Sequence, residues 1–104
     1  MHYKITVYIP QEHCEAVKRA MFDAGAGVID NYADCAWQVL GKGQFRPLKG
    51  SNPFLGEQDV IEEVAEYKVE IFCVADKIKG AIDAMKKAHP YEVPAYGVVK
   101  LEDF

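Results

Sequence analysis

The feature that most constrains the fold of this chain is a strand pattern followed directly by an amphipathic helix pattern, which occurs twice. Apolar and polar residues alternate over residues 3–9, and apolar residues then recur at helical spacing over residues 11–24. The second copy has its strand pattern over residues 67–74 and its helix pattern over residues 77–88. Each helix has one apolar stripe, and one face of a sheet can bury both.

Two further segments complete the predicted sheet. Residues 28–40 are rich in Val, Ile, Tyr and Trp but are interrupted by polar residues, which predicts two short strands or one bent hairpin. Residues 96–101 alternate again and predict the last strand. We therefore expect an α+β, ferredoxin-like fold (βαββαβ), with two helices on one face of an antiparallel sheet, in a single domain that covers residues 1–104.

Composition argues against several classes of protein. The 104 residues are 50% hydrophobic with a formal net charge of −4, and their apolar runs are much shorter than the ~20 residues that span a bilayer. No basic run offers a footprint for nucleic acid. Three widely spaced cysteines without a CxxC pair argue against a disulfide framework or a thiolate zinc site. The first residues lack the features of a secretory signal, so we expect a cytoplasmic protein without a membrane partner.

Residues 41–56 contain four of the eight glycines and two of the five prolines. Flexible linkers rarely carry two large aromatic residues, so we expect an ordered loop in which Phe45 and Phe54 pack against the body of the chain or a neighbouring subunit. Arg46 and Lys49 lie beside glycines and are candidate ligand-binding residues for a phosphate or carboxylate. The loop lacks the GK[ST] ending of a P-loop, and solvated charges are the alternative.

The segment HPYEVPAY, residues 89–96, supplies the other candidate ligand-binding residues, which are His89, Tyr91 and Glu92. Two prolines stiffen this turn, so an imidazole and a carboxylate could be presented together. His89 and Glu92 are also weak candidates for binding a divalent metal ion, but two ligands do not make a site, and we expect no cofactor. The alternative is that His89 caps the last carbonyl groups of the second helix while Glu92 is solvated.

Catalytic chemistry has no recognisable signature in the sequence. Ser51 is the only serine, and no motif connects it to a base. The acidic run over residues 57–66 could in principle bind calcium, but it lacks the EF-hand order, and a solvated face is the favoured interpretation. We assign no catalytic residue and favour a non-catalytic role.

Four segments occur in a fixed order over residues 41–101: GKGQFRP, GSNPFLG, EEVAEYKVE and HPYEVPAY. Together they resemble the PII-like insert domain of the YqfO/YbgI family of dinuclear-metal proteins, formerly described as type 2 GTP cyclohydrolase I. In that family the insert domain is similar to the PII and CutA signalling proteins, which have a ferredoxin-like fold and form trimers through their sheets.

The resemblance implies a stand-alone, non-catalytic PII/CutA-like module with a regulatory role that binds a small ligand, a metal ion or a protein partner. It does not carry over the family's metal site, whose ligands belong to a separate surrounding domain. The family usually has HPYEEPAYD, whereas this chain has Val93 and Gly97, so two carboxylates are absent and a metal role for this turn is disfavoured. A metal-dependent hydrolase-like enzyme and a purely structural oligomerisation module are the alternatives.

Alternation also predicts an exposed apolar surface. If the buried residues of each strand face the helices, the opposite face carries an outer patch, which consists of Tyr8, Phe72, Val74 and Val99. Two helices cover only one face, so the outer patch predicts a homo-oligomer. A two-fold dimer would bury the same patch, and the preference for a trimer comes from the family resemblance.

Overall fold

A computed structural model, which describes residues 2–104, has two α-helices packed on one face of a four-stranded antiparallel sheet. The elements are β1 (His2–Pro10), α1 (Cys14–Asp23), β2 (Trp37–Phe45), β3 (Glu62–Val74), α2 (Ile78–Ala88) and β4 (Tyr96–Leu101). The spatial order of the strands is β2-β3-β1-β4, and each neighbouring pair is antiparallel. This is the ferredoxin-like βαββαβ arrangement that the sequence predicts.

The core lies between the helices and the inner face of the sheet. Ile5 pairs with Ile71 and Val7 pairs with Val69 across β1 and β3, so these side chains share the face towards the helices. The buried residues of the two helices are Cys14, Val17, Met21, Ala81 and Met85. Burial of each large apolar side chain contributes about 1.5–3 kcal/mol. Neither α-helix in the described part of the chain is long and apolar enough to cross a membrane.

The segment between α1 and β2 differs from the prediction. Residues 28–36 form a turn that contains one isolated bridge, and the strand begins only at Trp37. Asp30 and Asp34 have φ angles of 49° and 57°, in the left-handed region, which interrupts an extended chain. The prediction of two short strands or one bent hairpin over residues 28–40 is therefore wrong for residues 28–36, whereas residues 37–40 belong to β2, the single strand at this edge of the sheet.

The glycine-rich stretch is also divided differently, because its first five residues belong to β2. Glycine suits position 43 because it has no β-carbon, and the Glu66 carboxylate of β3 occupies the place where a β-carbon would lie. The connecting loop covers residues 46–61, and β3 begins at Glu62 within the acidic run. Hydrogen bonds within the loop include one from the Asp59 N–H to the Pro47 carbonyl at 2.7 Å.

The face of the sheet opposite the helices carries the predicted outer patch. Phe72 and Val99 both pair with Lys4, from the two sides of β1, so they lie on one face. The exposed fractions are 40% for Phe72, 52% for Val99 and 39% for Tyr8, whereas Val74 is partly buried. The apolar surface that the alternation predicts is thus exposed in the single chain.

Candidate functional site

A cavity of about 250 Å³ lies between the end of β2, the loop of residues 46–61 and the turn after α2. Its wall is mainly apolar and includes the rings of Phe45, Phe54 and Tyr91. Two carboxylate side chains, Glu66 from β3 and Glu92 from the turn, also line it. The cavity therefore combines two regions that are far apart in the sequence, residues 44–66 and the turn of residues 91–95.

The Tyr91 ring connects the turn to the loop. Its centroid lies 5.8 Å from that of Phe45 and 6.5 Å from that of Phe54, with interplanar angles of 61° and 51°. Both separations lie in the range of favourable aromatic contacts. The Phe54 ring also meets His13 edge-on at 5.4 Å, although 51% of Phe54 remains exposed. The prediction that both phenylalanines pack against the body of the chain is confirmed.

His89 is held by hydrogen bonds at both of its ring nitrogens. Its Nδ1 accepts a hydrogen bond from the Tyr91 N–H at 3.1 Å. Nε2 therefore carries the proton and donates a hydrogen bond to the Tyr8 carbonyl oxygen at 2.8 Å. Burial lowers the pKa of this imidazole, and the hydrogen bond to Tyr8 opposes that effect only in part. The side chain is 6% exposed and is neutral in this environment.

This arrangement replaces the predicted cap. The backbone N–H of His89, and not its imidazole, closes the helix by bonding to the Met85 carbonyl at 2.9 Å. The imidazole instead joins the end of α2 to β1. A metal ion could bind His89 only if one of the two imidazole hydrogen bonds were broken.

The Tyr91 hydroxyl is buried beside Glu66. No group described in residues 2–104 makes a hydrogen bond with it. Burial, followed by the nearby Glu66 carboxylate, raises the pKa of the phenol well above its usual range, so the group stays protonated. Glu66 is thus close to the hydroxyl, but without the geometry of a hydrogen bond. A buried hydroxyl without a partner costs about 1–3 kcal/mol.

The other predicted site residues lie in different surroundings. The Glu92 carboxylate accepts a hydrogen bond from the Asn52 N–H at 3.1 Å and so connects the turn to the loop. Arg46 and Lys49 are exposed and do not line the cavity. Neither cation forms an ion pair within the described chain. Of the candidate ligand-binding residues, the structure brings only Tyr91 and Glu92 to the cavity, and their role stays a prediction.

Sequence reasoning misses Glu66, because the favoured interpretation of the acidic run over residues 57–66 is a solvated face. The available signal was Gly43, since a glycine inside a strand often marks a close approach by another group. Pattern alone does not give the register, which pairs Gly41 with Glu66 and so lets the Glu66 side chain reach Gly43 diagonally across the strands. Within residues 2–104, no three His, Cys, Asp or Glu side chains converge as a metal site would require.

No protein-family model matches the sequence. The GTP cyclohydrolase 1 type 2 homolog of Mycobacterium leprae is 45% identical over 98 residues, which cover 94% of this chain and 26% of that protein. The chain is a relative of the GTP cyclohydrolase 1 type 2 homologs. A crystal structure of a Bacillus cereus protein related to NIF3 has a TM-score of 0.84 at 37% identity, covering 98% of this chain and 26% of that one. The chain therefore spans about a quarter of the length of these relatives.

The fold is shared more widely. The periplasmic divalent cation tolerance protein CutA from Archaeoglobus fulgidus superposes with a TM-score of 0.70 at 20% identity, covering 100% of this chain and 87% of that one. At this identity the likeness concerns the fold alone. The expected resemblance to a CutA-like domain of the YqfO family is thereby confirmed.

Proposed function

We propose that this chain is a non-catalytic, regulatory module that associates with copies of itself and binds a small ligand in the cavity between the loop and the turn. The observation that carries the proposal is the buried Tyr91 hydroxyl, which lacks a hydrogen bond and belongs to a residue of the cavity wall. Buried polar groups normally have partners, and a bound molecule would supply the missing one. A mainly apolar wall with a few polar groups is also typical of small-molecule sites.

The construction of the cavity supports a regulatory role. Its wall joins the loop of residues 46–61 to the turn after α2, and the hydrogen bond between Asn52 and Glu92 already links the two. A ligand that contacts both segments would fix the loop relative to the body of the domain. Binding would thereby change a surface that a partner protein can recognise.

The outer patch supports self-association. Trp37 of β2 is 59% exposed and pairs with Glu70, so it lies on the same face as Phe72 and extends the patch across the sheet. The Lys4–Glu70 ion pair, at 3.6 Å, lies among these apolar side chains, and exposed apolar residues around a few polar groups are typical of an interface. A second copy of the chain would bury it, and the family resemblance favours three subunits.

Fragment binding followed by NMR tests the ligand site. We expect small aromatic molecules with polar groups to shift the amide signals of residues 45–55 and 91–95. Tyr91→Phe keeps the ring but removes the hydroxyl, so it should weaken the binding of polar fragments more than that of apolar ones. Tyr3→Phe removes a hydroxyl outside the cavity lining and serves as the control. If no fragment shifts the amide signals of the cavity residues, the proposal is contradicted and a purely structural oligomerisation module is favoured.

Metal analysis separates this proposal from a metal-dependent hydrolase-like enzyme. A dinuclear centre needs several converging ligands. We expect the purified protein to contain much less than one metal ion per chain. Two metal ions per chain would overturn the non-catalytic interpretation.

A further inference from the structure

The charged side chains that line the cavity are both carboxylates. Glu66 and Glu92 line the cavity. Glu62 lies near enough to Tyr91 to contribute to the raised pKa of its hydroxyl. None of these three forms an ion pair with a cation of residues 2–104. Glu63, the neighbour of Glu62 in β3, does pair with Lys42 at 3.3 Å. Carboxylates without cations therefore gather on the cavity side of this strand.

Aromatic rings form the other part of the wall. Phe45 and Phe54 both contact Tyr91 at angles far from parallel, so the three rings border the cavity in different orientations. The face of an aromatic ring carries partial negative charge and attracts a cation within about 6 Å of its centroid. The aromatic rings and the carboxylates therefore both favour a positively charged ligand.

The nearby basic side chains, whether charged or neutral, do not line the cavity. Arg46 and Lys49 are exposed on the loop and are absent from the lining. His89 contacts the Tyr91 ring from outside the lining, with both ring nitrogens engaged. A phosphate or carboxylate in the cavity would meet carboxylates of its own charge with no compensating cation. The anion predicted from Arg46 and Lys49 is therefore disfavoured at this site.

We infer that the cavity binds a small organic cation, in which an ammonium or guanidinium group is attached to a short apolar group. The cationic group donates hydrogen bonds to Glu66 and the Tyr91 hydroxyl, while the apolar part packs on the rings. The cavity volume of about 250 Å³ equals the liquid volume of roughly eight water molecules, which limits the ligand to a small molecule. The inference rests on the proposed ligand-binding function and names the class of the ligand.

Three probes of nearly equal shape and different charge test the inference on the full chain at neutral pH. They are benzylammonium, benzyl alcohol and benzoate, and binding is followed by NMR titration of the amides of residues 45–55 and 91–95. We expect benzylammonium to bind with a dissociation constant about tenfold lower than that of benzyl alcohol. Benzoate should bind more weakly than either.

A matched pair of variants locates the cation. Glu66→Gln keeps the size of the side chain but removes its charge, and we expect it to abolish most of the preference for benzylammonium. Glu63→Gln makes the same change in net charge on the same strand, at a residue whose carboxylate pairs with Lys42 outside the cavity lining. This control should leave the preference unchanged.

The outcomes separate the inference from the proposed function. Equal binding of benzylammonium and benzyl alcohol, or preferred binding of benzoate, would overturn the inference and leave a ligand site in place. Loss of the preference in Glu63→Gln as well as in Glu66→Gln would overturn it too, because the effect would then come from net charge alone. If no probe shifts these amides, the inference is wrong, and the broader fragment set decides the proposed function separately.

Discussion

His89 illustrates how a single residue can be identified as important from sequence while its partners stay hidden. Its place after the second helix predicts an imidazole that caps the helix, but the structure uses the backbone N–H of His89 for that bond and the imidazole to join the turn to β1. Its contact with the Tyr8 carbonyl joins residues 81 positions apart, which local pattern does not reveal. Tyr91 and Glu92 were identified because prolines mark their turn, whereas Glu66 was not, because only strand register brings it to the cavity.

The stability of the protein should depend on pH through His89. Burial lowers the pKa of the folded imidazole; the hydrogen bond to the Tyr8 carbonyl and the Glu66 carboxylate oppose this in part, and His13 lowers the pKa further. The unfolded chain, with a histidine pKa of about 6.5, therefore binds the proton first as the pH falls. We expect urea denaturation to give a stability that declines below about pH 6.5 and levels off above it.

The variant His89→Gln provides the comparison for this pH effect. At pH above 7 it should be less stable than the natural chain by about 1–3 kcal/mol, because buried hydrogen bonds are lost. That difference should shrink as the pH falls, because only the natural chain must keep a buried imidazole neutral. A constant difference between pH 5 and pH 8 would show that His89 does not titrate in this range.

Gly43 should affect the cavity more than the stability. A β-carbon at this position would collide with the Glu66 carboxylate, which can swing away because it ends a flexible side chain. We expect Gly43→Ala to weaken benzylammonium binding about as much as Glu66→Gln does. Gly41→Ala, two residues earlier in β2, is the control, since its β-carbon would only reach ordinary contact distance. Equal effects of the two variants would contradict this interpretation.

At the scale of elements, the sequence predicted β1, β3, β4 and both helices because their apolar periods are regular. It misplaced β2, because the left-handed aspartates at positions 30 and 34 end the extended pattern and the true strand continues into the glycine-rich stretch. Gly41 and Gly43 are weak strand formers, so local preference indicated a loop. Pairing with β3 overrides that preference.

Amide exchange tests whether the loop between β2 and β3 is ordered. The Asn52 N–H, bonded to Glu92, should exchange slowly for a surface amide. Glu92→Ala should raise its exchange rate by about tenfold, because removal of this bond frees the amide at a cost of about 1.4 kcal/mol. Glu57→Ala removes a carboxylate from the same loop without breaking a hydrogen bond and is the control. Fast exchange at Asn52 in the unmodified protein would mean that the loop is not held.

At the scale of the whole molecule, two helices leave one face of the sheet uncovered, and this surface predicts assembly. Phe72→Glu should break a homo-oligomer, because it places a charge in the centre of a surface that must lose water on association. Ala16→Glu adds the same charge on an exposed position of α1 and should leave the assembly intact. Light scattering on a sizing column checks both variants. A mass near 11.7 kDa for the unmodified protein at micromolar concentration would contradict self-association.

A crystal structure grown with benzylammonium tests directly whether the cavity between the loop and the turn binds a small organic cation. We expect electron density for the probe between Glu66 and the Tyr91 ring in every subunit. A cavity without the probe, or one that is filled by side chains of a neighbouring subunit, would contradict the proposed ligand site.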